Sequence, residues 1–243
     1  MTRWRLDISY DGANFSGWAR QPHLRTVQGE LETWIPRVLR LDRPTPLTVA
    51  GRTDAGVHAS GQVAHADIPR AALDQRSIDG DPARLVRRCA KLLPADVRIF
   101  DISEVSPLFD ARFSATSRRY RYLVGDDPTR VDPLRRREVV SLRTPLDVAA
   151  MHAAAQRLLG LRDFAAFCKR REGATTTRTL LRYDWTRRDD GLLEATVVAD
   201  AFCHSMVRAL IGALVPVGVG ARDADFPAQV LTAGARDPRV KVM

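Results

Sequence analysis

Alternating apolar and polar side chains open the chain and predict a β-strand. Apolar residues occupy every second position, and they are Trp4, Leu6, Ile8 and Tyr10. Successive side chains of a strand point to opposite faces, so this spacing indicates a strand with one buried face. The pair Asp11-Gly12 follows and is typical of a turn.

Similar patterns predict the other elements of the first half. Thr26 is a candidate N-cap for a helix with helical apolar spacing, and Pro36 should kink that helix or end it early. A second helix should open at Asp81-Pro82, a cap followed by a first-turn proline, and close at Pro94. The predicted strands are residues 47–50, 61–68 and 97–105.

The second half repeats this order of elements. Thr144 is predicted to cap a helix, with Asp147 as the acidic residue of its first turn and Gly160 as its end. The remaining predicted elements are strands at 119–124, 178–186 and 192–199, a long apolar helix at 204–217 and a short helix at 225–231.

The order of elements predicts an α+β protein made of two related halves. Each half reads strand, helix, strand, strand, helix, and the first half adds one more strand. We expect the halves to share a central, largely antiparallel sheet with helices packed on it. The predicted halves are residues 1–106 and 107–243. We also expect the chain to stop at Met243 before the strand that would match the last strand of the first half.

The charge of the chain favours a polyanionic partner. It carries 38 basic and 29 acidic residues, a formal net charge of +9, and nearly all of the base is arginine. Arginine binds phosphate oxygens two at a time and stacks on bases. A GC-rich genome would also raise the share of arginine, but it accounts less well for the excess of base over acid.

Two further features point to the cytoplasm. The three cysteines, Cys89, Cys168 and Cys203, form no C-x-x-C pair, so we expect buried thiols in a reducing compartment rather than a zinc site or a disulfide framework. The first residues run directly into the strand pattern, and no apolar run is long enough to cross a bilayer, which argues against a signal peptide or a membrane anchor.

The loop at residues 51–60 is the first candidate for chemistry. It carries Asp54 two residues after Arg52, between glycines and between two predicted strands. A carboxylate on a loop held by strands is well placed to act on a substrate. A polar hairpin whose aspartate stabilises its own turn would have the same spacing, and spacing alone favours that interpretation.

Two further stretches could bind RNA. The alternation at residues 119–122 puts Tyr120 and Tyr122 on one face of a strand and two arginines on the other, which suits unpaired bases and phosphates. An ordinary strand with core tyrosines fits equally well. Arg208 lies at the start of the long apolar helix, where the helix dipole disfavours a cation, so it needs a partner, and Asp54 is a candidate.

Taken together, the motifs resemble those of the TruA family of tRNA pseudouridine synthases. The run Gly51-Arg52-Thr53-Asp54-Ala55-Gly56-Val57-His58 is the most specific of them. A second motif lies at residues 111–122 and includes Arg112, and a third at residues 204–208 includes His204. The motifs occur in the family's order over most of the chain, with Ala19 at a position where the family commonly has glutamine.

This resemblance implies a function and roles for individual residues. Asp54 falls on the essential aspartate, Tyr120 on the active-site tyrosine and Arg208 on the basic partner of the aspartate. Arg52 falls on the residue that holds the flipped nucleotide. The candidate substrate-binding residues are Arg52, Arg112, Tyr122 and His204. The family modifies uridines 38, 39 and 40 of the tRNA anticodon arm, has a positively charged cleft between its halves, and needs no metal or organic cofactor. It works as a cytoplasmic homodimer that holds one tRNA across both subunits. The family also has a final Gly-Leu strand lining the pocket, and we expect this chain to stop before it, so that either the sequence is truncated or the pocket floor is built otherwise.

Other functions could account for parts of this sequence. A non-catalytic RNA-binding or RNA-folding protein could use the same basic residues, including the clusters at 135–137 and 169–171. A nuclease would need an acidic metal-binding cluster, and the acids near Asp54 are not clustered. His58 and His65 fit no zinc spacing, so we expect structural roles for both.

Overall fold

The computed structural model describes residues 1–169 and 173–243, and it shows an α+β protein, as predicted. Five α-helices and two mostly antiparallel sheets make up these residues. The chain forms two compact units, Met1–Thr116 and Ser117–Met243, and each unit contains one of the sheets. No helix within these two ranges is long and apolar enough to cross a membrane.

A four-stranded antiparallel sheet and two helices form the first unit. The strands are β1 (Thr2–Tyr10), β2 (Thr48–Val49), β3 (Ala59–Ile68) and β4 (Val97–Val105), in the order β2-β3-β1-β4. The helices are α1 (Val27–Leu39) and α2 (Pro82–Leu92). The alternation predicted for β1 is confirmed, because Trp4, Leu6, Ile8 and Tyr10 are all buried.

The caps predicted for both helices of this unit are confirmed. The Thr26 hydroxyl accepts a hydrogen bond from the Gly29 amide at 3.2 Å, and the Asp81 carboxylate accepts one from the Ala83 amide at 2.8 Å. Helix α1 does not end early at Pro36, since it continues to Leu39 and closes with Arg40 in the left-handed conformation. Pro36 lies in the last turn of α1, and it cannot donate a backbone hydrogen bond to the preceding turn because it has no N–H.

The second unit contains a five-stranded sheet and three helices. Its strands are β5 (Arg118–Gly125), β6 (Val139–Ser141), β7 (Gly160–Asp163), β8 (Thr177–Arg187) and β9 (Leu193–Ala199), in the order β6-β5-β9-β8-β7. Only β5 and β6 run parallel among the paired strands described. The helices are α3 (Val148–Gln156), α4 (Met206–Gly218) and α5 (Phe226–Thr232).

Two predictions in this unit are wrong in detail. Helix α3 does not start at Thr144, because Asp147 is its N-cap and accepts a hydrogen bond from the Ala150 amide at 2.9 Å. The helix stops at Gln156, and Gly160 begins strand β7, which the sequence pattern did not predict. The short strand β6 was also missed. Both added strands are edge strands of three or four residues, too short to show a period.

Helix α4 is the centre of the second unit's core. Its buried face packs among residues from α3 and from the inner side of the sheet, including Tyr183 and Trp185. The main chain near the C-terminus approaches α4 closely, since a Cβ atom at Gly212 would lie 1.6 Å from the carbonyl oxygen of Lys241. Only glycine therefore fits at this position of α4.

The cysteine prediction holds for one residue of the three. Cys89 is a buried free thiol, and burial raises its pKa to about 11. Cys168 and Cys203 lie side by side, with Cα atoms 5.7 Å apart, a separation that a disulfide can span, so the expectation of free thiols is not confirmed for this pair. The two residues are far apart in sequence, and their spacing gave no sign that the fold brings them together.

Candidate active site

The loop that carries Asp54 connects β2 to β3 in the first unit. We call residues 51–58 the Asp54 loop. Asp54 is half-buried and Arg52 is exposed, so both side chains are accessible to a ligand. The Val57 amide donates to the Asp54 carbonyl at 3.2 Å, and Gly56 adopts a φ of +77°, which closes a tight turn directly after the carboxylate.

Buried polar side chains fix the loop from the sheet side. The Tyr10 hydroxyl lies 2.8 Å from the hydroxyl of Thr53, the residue before Asp54. The Gln62 amide donates to the Tyr10 oxygen at 3.2 Å and to the Gly51 carbonyl at 2.8 Å. Burial raises the pKa of Tyr10, so the phenol stays neutral and the network remains intact at physiological pH.

A segment before α1 braces the same loop through its main chain. We call residues 10–18 the bracing segment. The Trp18 amide donates to the Thr53 carbonyl at 3.0 Å, and the Gly56 amide donates to the Phe15 carbonyl at 3.3 Å. The Gly12 amide donates to Nδ1 of His58 at 3.1 Å, which gives His58 a structural contact. The backbone on each side of Asp54 is thus held by hydrogen bonds.

Two glycines of the bracing segment permit this close approach. A Cβ atom at Gly12 would lie 2.0 Å from the Val57 carbonyl oxygen, nearer than any real Cβ contact. A Cβ atom at Gly17 would lie 2.9 Å from the Thr53 carbonyl oxygen, and Gly17 has a φ of +93°. The two backbones can pack this closely only where a side chain is absent.

Arg25 ties the bracing segment to the rest of the first unit. Its guanidinium makes two hydrogen bonds to Asp96, at 2.7 and 2.9 Å, and one to Glu30 at 2.9 Å. The same group lies over the Phe15 ring, 4.1 Å from the ring centre. Hydrogen bonding from Arg25 lowers the pKa of Asp96, so this pair is ionised across the physiological range.

The second unit places its candidate residues on β5 and at the start of α4. Tyr120 and Tyr122 are half-buried on one face of β5, and Arg119 and Arg121 are exposed on the other, as the alternation predicted. Tyr120 packs edge-on against Phe202, with ring centres 5.1 Å apart. No sequence pattern assigned a role to Phe202, although it lies two residues before His204.

Arg208 and Tyr122 form a second grouping in this unit. Burial raises the pKa of Tyr122, and the positive charge of Arg208 partly offsets that effect. Arg208 is half-buried in the first turn of α4, and its Nε donates to the Met243 carbonyl. The predicted need of this arginine for a partner is therefore met in part by a main-chain carbonyl. His204 is exposed, and its carbonyl accepts from the Lys169 amide at 2.9 Å.

The candidate residues thus fall in both units. Asp54, Arg52 and Arg112 belong to the first, and the other four belong to the second. The basic cluster at 135–137 is partly neutralised, since Arg135 pairs with Glu138 and Asp190. Arg170 and Arg171 of the other cluster lie outside the described residues. Within residues 1–169 and 173–243, no three histidine, cysteine or acidic side chains are grouped to hold a metal ion.

Comparison with known proteins identifies the family. A family model described as tRNA pseudouridine synthase matches residues 154–243. A protein of Cutibacterium acnes called tRNA pseudouridine synthase A is 58% identical, over 100% of this chain and 85% of its own length. Proteins of the same name from Streptomyces griseus and Mycobacterium leprae are 55% and 49% identical, over 99% and 96% of this chain and 84% and 82% of their own lengths. At this identity and coverage, the chain belongs to the tRNA pseudouridine synthase A family.

Proposed function

We propose that this protein isomerises uridine to pseudouridine in the anticodon stem-loop of tRNA, at positions 38, 39 and 40, and that Asp54 is its catalytic carboxylate. The observation that carries the proposal is the Asp54 loop. Its main chain is held from the sheet by Tyr10 and Gln62 and from the bracing segment by Phe15 and Trp18. A carboxylate at such a fixed, half-open position suits a reacting group better than a mobile surface aspartate does.

The reaction needs a carboxylate but no external reagent. The bond between N1 of uracil and C1′ of the ribose breaks, and C5 of the base then joins C1′. C5 loses its hydrogen as a proton and N1 gains one, so the atoms balance. Asp54 could attack C1′ or C6 as a nucleophile, or it could remove a proton from C2′. Each of these roles requires the ionised carboxylate.

The other candidate residues have supporting roles in this proposal. Tyr120 packs on the target base and helps remove the C5 proton, and Arg208 is the basic residue of the catalytic set. Arg52 binds the flipped nucleotide, whose extrusion costs a few kcal/mol. Arg112, Tyr122 and His204 are substrate-binding residues. The packing of Tyr120 on Phe202 supports its role, because a ring held at 5.1 Å by another ring is oriented before substrate arrives.

The partner and the assembly follow from the same proposal. The net charge of +9 favours binding to the phosphates of tRNA. We expect a cytoplasmic homodimer that holds one tRNA across both subunits and uses no metal or organic cofactor. Binding to phosphates releases counterions, so the affinity for tRNA should fall steeply as salt is raised. A flat response to salt would argue against the basic residues as the RNA-binding surface.

Release of tritium from tRNA labelled at C5 of its uridines tests the reaction itself. The unmodified transcript should release tritium in the presence of the protein, and a transcript with cytidine at positions 38, 39 and 40 should not. Release from both transcripts would place the modification outside these positions. Binding of tRNA without any release would instead support a non-catalytic RNA-binding protein.

A further inference from the structure

We propose that Phe113 is an RNA-stacking residue that packs its ring on an unpaired base of the bound tRNA, beside a phosphate held by Arg112. This inference rests on the proposed function and adds a contact that the catalytic residues do not supply. Phe113 is 77% exposed, and Arg112 is exposed beside it. Exposure of a single apolar side chain carries no meaning by itself, so the argument depends on how this ring is presented.

The turn that presents Phe113 is rigidly built. The Asp110 carboxylate accepts hydrogen bonds from the Arg112 amide at 2.8 Å and from the Phe113 amide at 3.1 Å. The Ser114 amide donates back to the Asp110 carbonyl at 2.7 Å, and the Ser114 hydroxyl accepts from the Asp110 amide at 3.0 Å. A ring on such a turn loses little further freedom when it binds, which favours affinity.

Buried contacts fix this turn to the sheet of the first unit. The Ala111 amide donates to Nδ1 of His65 at 3.0 Å, and Ala111 itself is buried. Desolvation lowers the pKa of His65, so its imidazole is neutral and can accept this bond. Arg3 donates to the carbonyls of Pro107 and Phe109 at 2.9 and 2.8 Å. The chain on the N-terminal side of Phe113 is therefore anchored, while its ring faces solvent.

The aromatic ring of Phe113 and the positive charge of Arg112 together favour a nucleic acid as the ligand. The Arg112 guanidinium lies 5.2 Å from the centre of the Phe113 ring, so an aromatic face and a cation are presented together. An unpaired nucleotide has a π-face for the ring and a phosphate for the guanidinium. The formal net charge of +9 also favours a polyanion over an apolar protein as the partner.

Phe100 provides a matched control in the same unit. It is 66% exposed on edge strand β4. Its exposure has a local cause in the pairing of β1 with β4. Asp7 pairs with Asp101 and Ile8 pairs with Ile99, so Phe100 is left over as the extra residue of a β-bulge. We therefore expect Phe100→Ala to leave the affinity for tRNA unchanged.

The test measures binding of an unmodified tRNA transcript by parent, Phe113→Ala, Phe113→Trp and Phe100→Ala proteins. Stacking of one base is worth about 1–3 kcal/mol, so Phe113→Ala should bind roughly 5- to 150-fold more weakly. Phe113→Trp should keep the affinity, and tRNA should quench its added fluorescence. The dependence on salt should be the same for Phe113→Ala as for the parent, whereas Arg112→Gln should lower the salt slope by roughly one contact.

Parent-like affinity of Phe113→Ala would overturn the inference, as would fluorescence of Phe113→Trp that tRNA does not change. Loss of dimer formation in Phe113→Ala at parent-like affinity would show that the ring contacts protein instead. If Phe113→Ala does not fold, the test rests on whether tRNA quenches the tryptophan fluorescence of Phe113→Trp. Tritium release by the parent is unaffected by any of these outcomes, so failure of the inference is distinct from failure of the proposed function.

Discussion

The Asp54 loop of the first unit and the start of α4 in the second unit are held by different kinds of contact. The loop is fixed through its own main chain by hydrogen bonds from both sides and by two glycines that let backbones touch. The start of α4 has no side-chain cap, and Ser205 lies there in the left-handed conformation. Arg208, the candidate residue of this region, instead bonds the Met243 carbonyl.

The two regions therefore hold their candidate side chains in different ways. Main-chain bracing limits how far a short side chain such as Asp54 can move, and a reacting group must be held to within about 0.5 Å. The candidate residues of the second unit have longer side chains. Tyr120 packs on Phe202, and Arg208 bonds the Met243 carbonyl. Changes in the first region should therefore act through backbone position, and changes in the second through the loss of a single functional group.

Apart from changes to Asp54 itself, the largest expected effect lies in the second unit, at Tyr120 on β5. Phenylalanine keeps the ring on Phe202 but removes the hydroxyl proposed to help take the C5 proton. Tyr120→Phe should lower the rate of tritium release by roughly 10²- to 10⁴-fold at unchanged tRNA affinity. A parent-like rate would remove Tyr120 from the proton transfer. Phe202→Leu serves as a control for packing alone.

The next largest effect is expected in the bracing segment, at Gly12. A Cβ atom there would meet the Val57 carbonyl at 2.0 Å, so Gly12→Ala must displace the Asp54 loop. A shift of about 1 Å at a reacting group can cost about 100-fold in rate, and we expect a loss of this order in kcat. Gly61→Ala is the matched control, because its Cβ would have no atom within 4 Å. Equal activity of the two variants would contradict the bracing account.

Arg25→Gln should give a smaller effect that depends on pH. The variant loses the pairing with Asp96, and we expect a loss of about 1–2 kcal/mol in the free energy of unfolding, limited by solvent screening of the half-buried pair. The pKa of Asp96 is lowered in the folded state, so its contribution is full above about pH 5 and disappears as pH falls below the ordinary carboxyl value of 3.8.

Urea unfolding of parent and Arg25→Gln across this pH range measures the effect. The difference between the two proteins should shrink at the acid end. Arg84→Gln is the control, because its pair with Asp79 is exposed, with side-chain exposures of 45% and 70%, and should contribute under about 0.5 kcal/mol. A difference at Arg25 that is independent of pH would show that the contact with Phe15, and not the ion pair, holds the segment.

A loss of stability of similar size is expected from Tyr10→Phe. This change removes the hydroxyl that contacts Thr53 and Gln62, and should cost roughly 1–2 kcal/mol of stability with a several-fold loss of rate. A double-mutant cycle with Thr53→Val measures the coupling of the pair, which we expect at about 1 kcal/mol. Strictly additive effects would mean that Tyr10 does not position the loop through Thr53.

Local patterns in the sequence predicted much of the fold. Alternation gave β1, the span of β4 was predicted as residues 97–105, and the Asp81-Pro82 pair marked the start of α2. These features work because they depend on neighbours in sequence. Helix α3 was misplaced because Thr144 and Asp147 are both acceptable caps, and only the folded chain decides between them.

The support of the site could not be predicted in the same way. The motif at Asp54 was visible, but its contacts to Tyr10, Phe15 and Trp18 join positions about 35 to 45 residues apart. The pairing of Arg25 with Asp96 spans 71 residues. Nothing in the local pattern marks such partners, and Gly12 was predicted only as part of a turn.

Single-turnover tritium release with excess enzyme, comparing the parent with Asp54→Asn and Asp54→Glu, tests the central claim most directly. We predict no detectable release by Asp54→Asn at unchanged tRNA affinity, because the amide keeps the shape but cannot act as nucleophile or base. Asp54→Glu keeps the charge but moves it by the length of one methylene away from the braced loop. Its rate of tritium release should therefore be detectable but at least about 100-fold below that of the parent. Release by Asp54→Asn at the parent rate would show that another group is the catalyst and that the braced loop serves binding alone.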